Sequence, residues 1–395
     1  MMMGKKFIAV TAALTLTTVG LAGCSKSSSS DSSSSGGDTI KVGTNLELTG
    51  AVAAFGQSQL NGINLAVEEI NKNGGINGKK LEVVSADNAS KKEESTRTAT
   101  KLITQDKVDV LLGAAISGDT FAAVEVANNK KVPMLTPSAT NDSITFDAKK
   151  NKLNDYVFRA CFIDSFQGKV MADFSAKNLH AKNAVVYIDN SSDYSKGLAK
   201  SFKTTFEGNG GKVVAEESYQ TKDTDFKAVL TRIKTLNPEV IFVPGYYEEV
   251  GKIIKQAREM GIKAPMMGGD GWDAPELMQI AGAENLNNTF ISNHYSSEDK
   301  DPKVTKFIEN FKGKYGSVPD AMAVLGYDGM YMMADAIKRA GSTDKEKIKD
   351  ALANTKDFEG VTGKISLDKN HDPVKAAVVL EYKDGKQTFN TKVQP

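Results

Sequence analysis

Between Thr39 and Asp270 the chain alternates short strand-like runs with helical ones and places no tight hairpin turn between consecutive strands. "TIKVGTNLEL" reads as a strand. Gln57 to Asn71 then carries apolar residues at helical spacing (Leu60, Ile63, Val67, Ile70) and stops at Asn73-Gly74-Gly75. Strand "KKLEVVSAD", helix Lys91 to Gln105, strand "VDVLLGA", helix Thr120 to Asn129 and strand "VPMLTPSA" follow. A second set repeats the order: "NAVVYID", helix Ser195 to Glu207, "GKVVAEESY", helix Phe226 to Thr235, "EVIFVPGY", helix Glu248 to Met260, and "APMMGGD". Strands separated by helices, without hairpin turns, argue for parallel pairing in open α/β sheets covered on both faces. The stretch from Val108 to Leu135 weakly parallels that from Glu239 to Met267, which predicts two similarly built lobes. Beyond them, helices are predicted near Val304 to Lys314, Ala323 to Ala340 and Lys345 to Thr355, with terminal strands near Lys364 to Leu367 and Ala376 to Tyr382.

The chain has 395 residues, enough for two cores. Lys plus Arg number 50 against 49 Asp plus Glu, so no basic surplus argues for nucleic acid. Two cysteines, Cys24 and Cys161, give neither a disulfide framework nor a metal cluster, and Cys161 reads as a small inert core residue. His180, His294 and His371 are scattered and read as surface or loop residues. No Gly-x-Gly-x-x-Gly follows the first strand, no Gly-x-Ser-x-Gly elbow appears, and no His or Cys stands where a base or nucleophile is needed. The expectation is a protein that is not an enzyme and takes no cofactor or metal.

At the N-terminus, Lys5 and Lys6 precede an apolar run from Phe7 to Val19, too short to span a bilayer comfortably. It ends in Leu21-Ala22-Gly23-Cys24, which resembles the lipobox of bacterial lipoproteins. That resemblance implies a signal peptide over residues 1–23 and a diacylglyceryl thioether on Cys24. Serines and glycines over residues 24–38 would form a flexible tether from the membrane. The expected location is the outer face of the cell membrane, held there by the lipid.

In open parallel sheets, ligands bind at the carboxyl ends of the strands. Those ends offer Ser117, Ser138 and Thr140 from the first half, and Tyr194, Tyr246 and Asp270 from the second. Hydroxyls and helix N-terminal N–H groups suit a carboxylate, and an aspartate suits an ammonium, so together they describe a cleft for a zwitterion. In "MMGGDGWDAP" the glycines are expected to let Asp270 reach that ammonium unobstructed.

The stretches "GTNLELTGAVAAFGQSQLNGINLAVEEINKNGGINGKKLEVVSAD", "VPMLTPSATN", "VFRACFIDSFQG", "DYSKGLAKSF", "PGYYEEVGKIIKQAREMGIKAPMMGGDGW" and "MAVLGYDGMYMMADAI" cover essentially the whole body from residue 39. They closely resemble the branched-chain amino acid binding lipoproteins of ABC importers, which are type I periplasmic binding proteins. The resemblance implies two Rossmann-like α/β lobes with parallel-sheet cores joined by three hinge crossovers, near Ile163, near Asn293 and near Gly360 to Lys364. The N-terminal lobe would comprise residues 39–162 plus 294–361, and the C-terminal lobe 163–293 plus 362–395. It also implies roles: Ser117 and Thr140 on the ligand carboxylate, the Ser138 carbonyl, Tyr246 and Asp270 on the ammonium, Phe55 and Tyr194 around the side chain. Trp272 could belong to the pocket wall or to the lobe core.

Three departures stand out. Branched-chain members commonly carry Glu where this chain has Asp270, one methylene shorter. Asp119 stands where many have Ser or Thr, and is expected to cap a helix starting at Thr120 with its side chain turned from the ligand. The disulfide of some members is missing. The implied mechanism is capture of an amino acid by lobe closure and delivery by a monomer to ABC transporter permease subunits. Amides, urea or short acids as ligand, or a sensing subunit for a signalling partner, are the alternatives.

Overall fold

The computed structural model describes residues 39–395, so the expected signal peptide, tether and Cys24 lie outside the described residues. Strands β1 (Thr39–Leu46), β2 (Lys80–Asp87), β3 (Val110–Gly113) and β4 (Met134–Thr136) alternate with helices α1 (Ala53–Lys72), α2 (Lys92–Thr104) and α3 (Ser117–Lys130). A small ladder of β5 (Phe146–Asp147) and β6 (Lys152–Leu153) precedes β7 (Val157–Arg159). The first sheet has the order β2-β1-β3-β4-β7 and is parallel throughout. Its central strand β3 is buried at every residue, which is why "VLLG" carries no polar alternation.

The second lobe runs through α4 (Asp164–Lys177), β8 (Asn183–Asp189), α5 (Asp193–Gly208), β9 (Lys212–Tyr219), α6 (Lys227–Thr235) and β10 (Val240–Phe242). It continues with α7 (Tyr247–Glu259), β11 (Met266–Gly268), α8 (Pro275–Ala281) and β12 (Thr289–Asn293). The chain then returns to the first lobe through α9 (Pro302–Tyr315), α10 (Ala321–Ala340) and α11 (Lys345–Ala353). A three-stranded antiparallel sheet follows, of β13 (Phe358–Gly360), β14 (Gly363–Leu367) and β15 (Pro373–Val374). Finally β16 (Ala377–Lys383) and β17 (Lys386–Val393) extend the second sheet to β17-β16-β12-β11-β10-β8-β9. These last two strands pair antiparallel across Asp384-Gly385, both with positive φ, as a two-residue hairpin turn needs.

The structure moves one expected crossing. Residues 365–372 do not enter the second lobe at Gly360 to Lys364: Asp372 pairs with the Arg159 guanidinium (N–O 2.7 Å) and accepts a bond from Thr145 Oγ1, while His371 bonds the Val157 carbonyl. The chain therefore joins the second sheet only at Ala377. His294 and His371 lie in loops, as expected, but not at the surface, since both are almost wholly out of solvent. His371 stacks on Phe158, with ring centroids 4.2 Å apart.

Two devices set the geometry of the cleft in the first lobe. Fully buried Arg159 donates to the carbonyls of Ala139 and Asn141 and to Thr145 Oγ1, so it braces the loop that carries Thr140. Helices α1 and α10 approach closely enough that a Cβ at Gly62 would lie 1.9 Å from the Ala323 carbonyl oxygen, and one at Gly326 would lie 2.4 Å from that of Gln59. Only glycine fits at either point, and the contact places Phe55, Gln59 and Met322 together at the strand ends. Changing Gly326→Ala is expected to lower stability by about 1–3 kcal/mol, the usual cost of overpacking. Urea unfolding followed by circular dichroism checks it, with an unchanged midpoint refuting the close approach.

Candidate functional site

The carboxyl ends of both sheets converge on a tightly closed cleft whose free space is about 10 Å³, room for a single water. Its lining contains all seven residues anticipated from the sequence: Phe55, Ser117, Ser138, Thr140, Tyr194, Tyr246 and Asp270. Ala115, Ile116, Gly271 and Met322 complete it. No Lys, Arg or His is among these lining residues, and no cluster of His, Cys, Asp or Glu among the described residues could hold a metal ion. A larger groove between α1, α9 and α10 lies away from the strand ends, and its Glu69 carboxylate is already taken by Tyr327, Tyr331 and Asn310.

The first-lobe wall is built by the turn after β3 and the start of α3. That helix begins at Ser117, three residues before the expected start, so Ser117 sits where N–H groups lack intrahelical acceptors and favour an anion. Ser117 Oγ accepts from the backbone N–H of Asn141 (3.2 Å), which joins the Ser117 turn to the Thr140 loop. Ser138 Oγ donates to the Ala115 carbonyl (2.7 Å) and accepts from Gln59 Nε2. Thr140 bonds the buried Asp164 at the start of α4.

Behind this wall lies a pair of acids. Glu47, at the end of β1, accepts the N–H groups of Ala115 (3.0 Å) and Ile116 (3.2 Å) and faces Asp119. Burial, then the Asp119 charge, pushes the Glu47 carboxyl up to about 8, and burial pushes Asp119 up to about 6. Asp119 is inside the first turn of α3, not at its cap, and does not line the cavity: its side chain is turned from the ligand space, toward Glu47. The two carboxyls share a proton at neutral pH, which spares the anion-favouring wall from two adjacent negative charges.

The second-lobe wall is centred on Asp270, which is 2% exposed. Tyr194 Oη donates to Oδ1 (3.0 Å), and His294 Nε2 lies 2.9 Å from Oδ2. The Asp270 and Ser292 donors converge on Gln167 Oε1, and Gln167 Nε2 donates to Asp164 (3.1 Å), so the two walls are hydrogen-bonded through α4. Burial raises the Tyr194 and Tyr246 hydroxyls well above their ordinary range and lowers the His294 imidazole to about 4. Near neutral pH the contact between His294 and Asp270 is thus a hydrogen bond from a neutral ring, not an ion pair. Tyr246 stacks on Tyr194 (5.0 Å between centroids, 9° between planes), and Phe55 meets Tyr246 edge-on at 5.8 Å.

The glycines around Asp270 have a different purpose from the one expected. A Cβ on Gly268 would strike the Trp272 ring, one on Gly269 would strike Gln167 Oε1 and Tyr194 Oη, and one on Gly271 the Gly245 carbonyl. They let the supporting side chains close on the turn; they do not clear a path for the ligand. Trp272 is fully buried, donates Nε1–H to the Val243 carbonyl (2.9 Å) and belongs to the lobe core, so it is not pocket wall. Sequence reasoning missed Glu47, Gln59, Gln167 and His294, and only the single acid of the strand end "NLEL" offered a local hint for any of them.

The acid pair makes a stability prediction. A carboxyl whose folded pKa exceeds its unfolded one binds a proton more tightly in the native state, so its contribution falls as pH rises between about 4.5 and 8. Glu47→Gln should flatten that fall, and its melting temperature relative to the parent should improve from pH 5 to pH 8. A difference independent of pH would show that the two acids do not share a proton.

A family model for periplasmic binding proteins matches residues 39–387. The leucine-, isoleucine-, valine-, threonine- and alanine-binding protein of Pseudomonas aeruginosa is 33% identical over 336 residues, 85% of this chain and 87% of that protein. Among solved structures, the branched-chain amino acid transporter substrate binding protein LivJ of Streptococcus pneumoniae, in complex with isoleucine, is 44% identical with a TM-score of 0.85, covering 90% of this chain and 100% of that one. A solute binding protein of an ABC transporter from R. palustris, in complex with benzoate, is 26% identical with a TM-score of 0.82, covering 90% and 97%.

Proposed function

The chain belongs to the periplasmic binding protein family, whose members bind solutes and do not transform them, and from that premise we propose that it captures a branched-chain amino acid for an ABC importer. The observation that carries the choice of ligand is Asp270. Relatives of the same fold hold isoleucine in one case and benzoate in another, and only the first has a cation to offer a buried carboxylate. Here the groups bonded to Asp270 are neutral donors, so a ligand ammonium supplies the missing positive charge.

The ligand carboxylate lies opposite, on Ser117, Thr140 and the start of α3, with the Ser138 carbonyl and Tyr246 assisting at the ammonium. Phe55, Ile116, Met322 and the Tyr194–Tyr246 stack offer the side chain a mainly apolar enclosure, which suits an aliphatic group. Phe55 and Thr140 come from one lobe and Tyr246 and Asp270 from the other, so the full set of contacts exists only when the lobes are closed. Driving the closed form from 1% to 99% requires about 5.5 kcal/mol of preferential binding, within reach of a desolvated charge pair with several charge-assisted hydrogen bonds. The closed monomer would then present both lobes to permease subunits.

Isothermal calorimetry with isoleucine, leucine, valine and benzoate tests this reading. The three amino acids should bind and benzoate should not. Asp270→Asn should weaken isoleucine binding by about a hundredfold or more, the usual effect of breaking a buried charge pair. Benzoate binding more tightly than isoleucine would refute the reading.

We further propose that Leu21-Ala22-Gly23-Cys24 is processed so that a lipid on Cys24 anchors the protein to the outer face of the cell membrane, with residues 24–38 as tether. Two acyl chains on one residue meet the physical requirement for stable anchoring. Metabolic labelling with a radioactive fatty acid should mark the protein and be lost in Cys24→Ser; label retained in that variant would place the lipid elsewhere.

A further inference from the structure

His294 has no place in the ligand-binding set, yet it is the buried side chain nearest to explaining how Asp270 is aimed. It follows the last residue of β12, on the second connection between the lobes. Its ring stacks on Phe162, on the first connection, with centroids 3.8 Å apart and planes 17° apart. Its neighbour Asn293 donates to Asp273 (2.9 Å), which also accepts the N–H of Ala321 at the start of α10 (2.8 Å). The imidazole therefore joins two hinge connections to the one carboxylate that faces the ligand space.

The protonation of the ring follows from its surroundings. Nε2 is directed at Asp270, while Nδ1 is buried with no partner among the described residues. An imidazolium would carry an unpaired N–H donor there, whereas the neutral ring leaves only an acceptor unfilled. Two charged groups bear on the ring: Asp270, which favours protonation, and buried Lys375 on the third connection, which opposes it. With burial added, the ring stays neutral to about pH 4, so it directs Asp270 without cancelling its charge.

We propose that His294 is a positioning residue: its neutral Nε2–H holds the Asp270 carboxylate in the orientation that receives a ligand ammonium and ties that orientation to the hinge. The inference rests on the amino-acid reading above. It also implies competition, because a proton on His294 would satisfy Asp270 in place of the ligand. Affinity should accordingly fall as pH drops through the value of the ligand-free imidazole.

Isoleucine titrations of the full chain, His294→Leu and His294→Gln by calorimetry from pH 3 to pH 8 test this, with circular dichroism melts to verify folding at each pH. At pH 7 the leucine variant should bind about tenfold to a hundredfold more weakly, the effect of losing one hydrogen bond to a charged group. The glutamine variant, which keeps a donor near Nε2, should recover most of that affinity and fall off less steeply in acid than the parent. Parental affinity in the leucine variant, a glutamine variant as weak as the leucine one, or an unchanged acid limb would each overturn the proposal. Should the leucine variant not fold, the pH profile of the glutamine variant decides alone. A parent chain that binds no isoleucine refutes the amino-acid reading instead.

Discussion

The Asp270 carboxylate lies almost wholly out of water, where an unpaired charge costs several kcal/mol, and the groups bonded to it are neutral. Much of the second lobe is organised around meeting that cost. Three glycines allow Trp272, Gln167 and Tyr194 to close on the turn, and two hydrogen bonds orient the carboxylate from opposite sides. What the lobe does not supply is a positive charge. On the proposed reading, a ligand ammonium would supply that charge, and the same deficit would give selectivity, since a ligand without a cation would forfeit the main attraction.

The first lobe solves the reverse problem. Its wall presents hydroxyls and the start of a helix, which favour an anion, yet two acids lie directly behind it. Sharing one proton lets Glu47 keep its bonds to Ala115 and Ile116 without setting a second negative charge against the ligand. Polar groups on both walls are linked through Asp164 and Gln167 of α4, so each wall braces the other where they meet.

The alternation of strands and helices was legible because fully buried strands such as Val110–Gly113 leave an unbroken apolar signature and glycines mark helix ends. Six of the anticipated cavity residues were legible because strand ends are where open sheets bind ligands; Phe55, on α1, came only from the family resemblance. Helix α4 was not, since it buries Asp164, Gln167 and Ser175 beside Val170 and Phe174 and so shows no single apolar stripe. His294 and Glu47 were missed for a related reason: a polar side chain declares its partner only when distant segments are brought together. The Asp384-Gly385 turn carried a local signal for a hairpin, and the final strand β17 went unread even so. The third crossing was placed too early because β13 and β14 look like any short strands, while the bonds that keep the following residues on the first lobe come from Arg159, Thr145 and Val157, far upstream.

Neither lobe is contiguous in the chain. Met322, on the first-lobe side of the cavity, comes from a helix that follows all five parallel strands of the second sheet, and that sheet is completed only by β16 and β17. A nascent polypeptide still emerging from the ribosome therefore has no finished cleft at any length short of nearly its last residue.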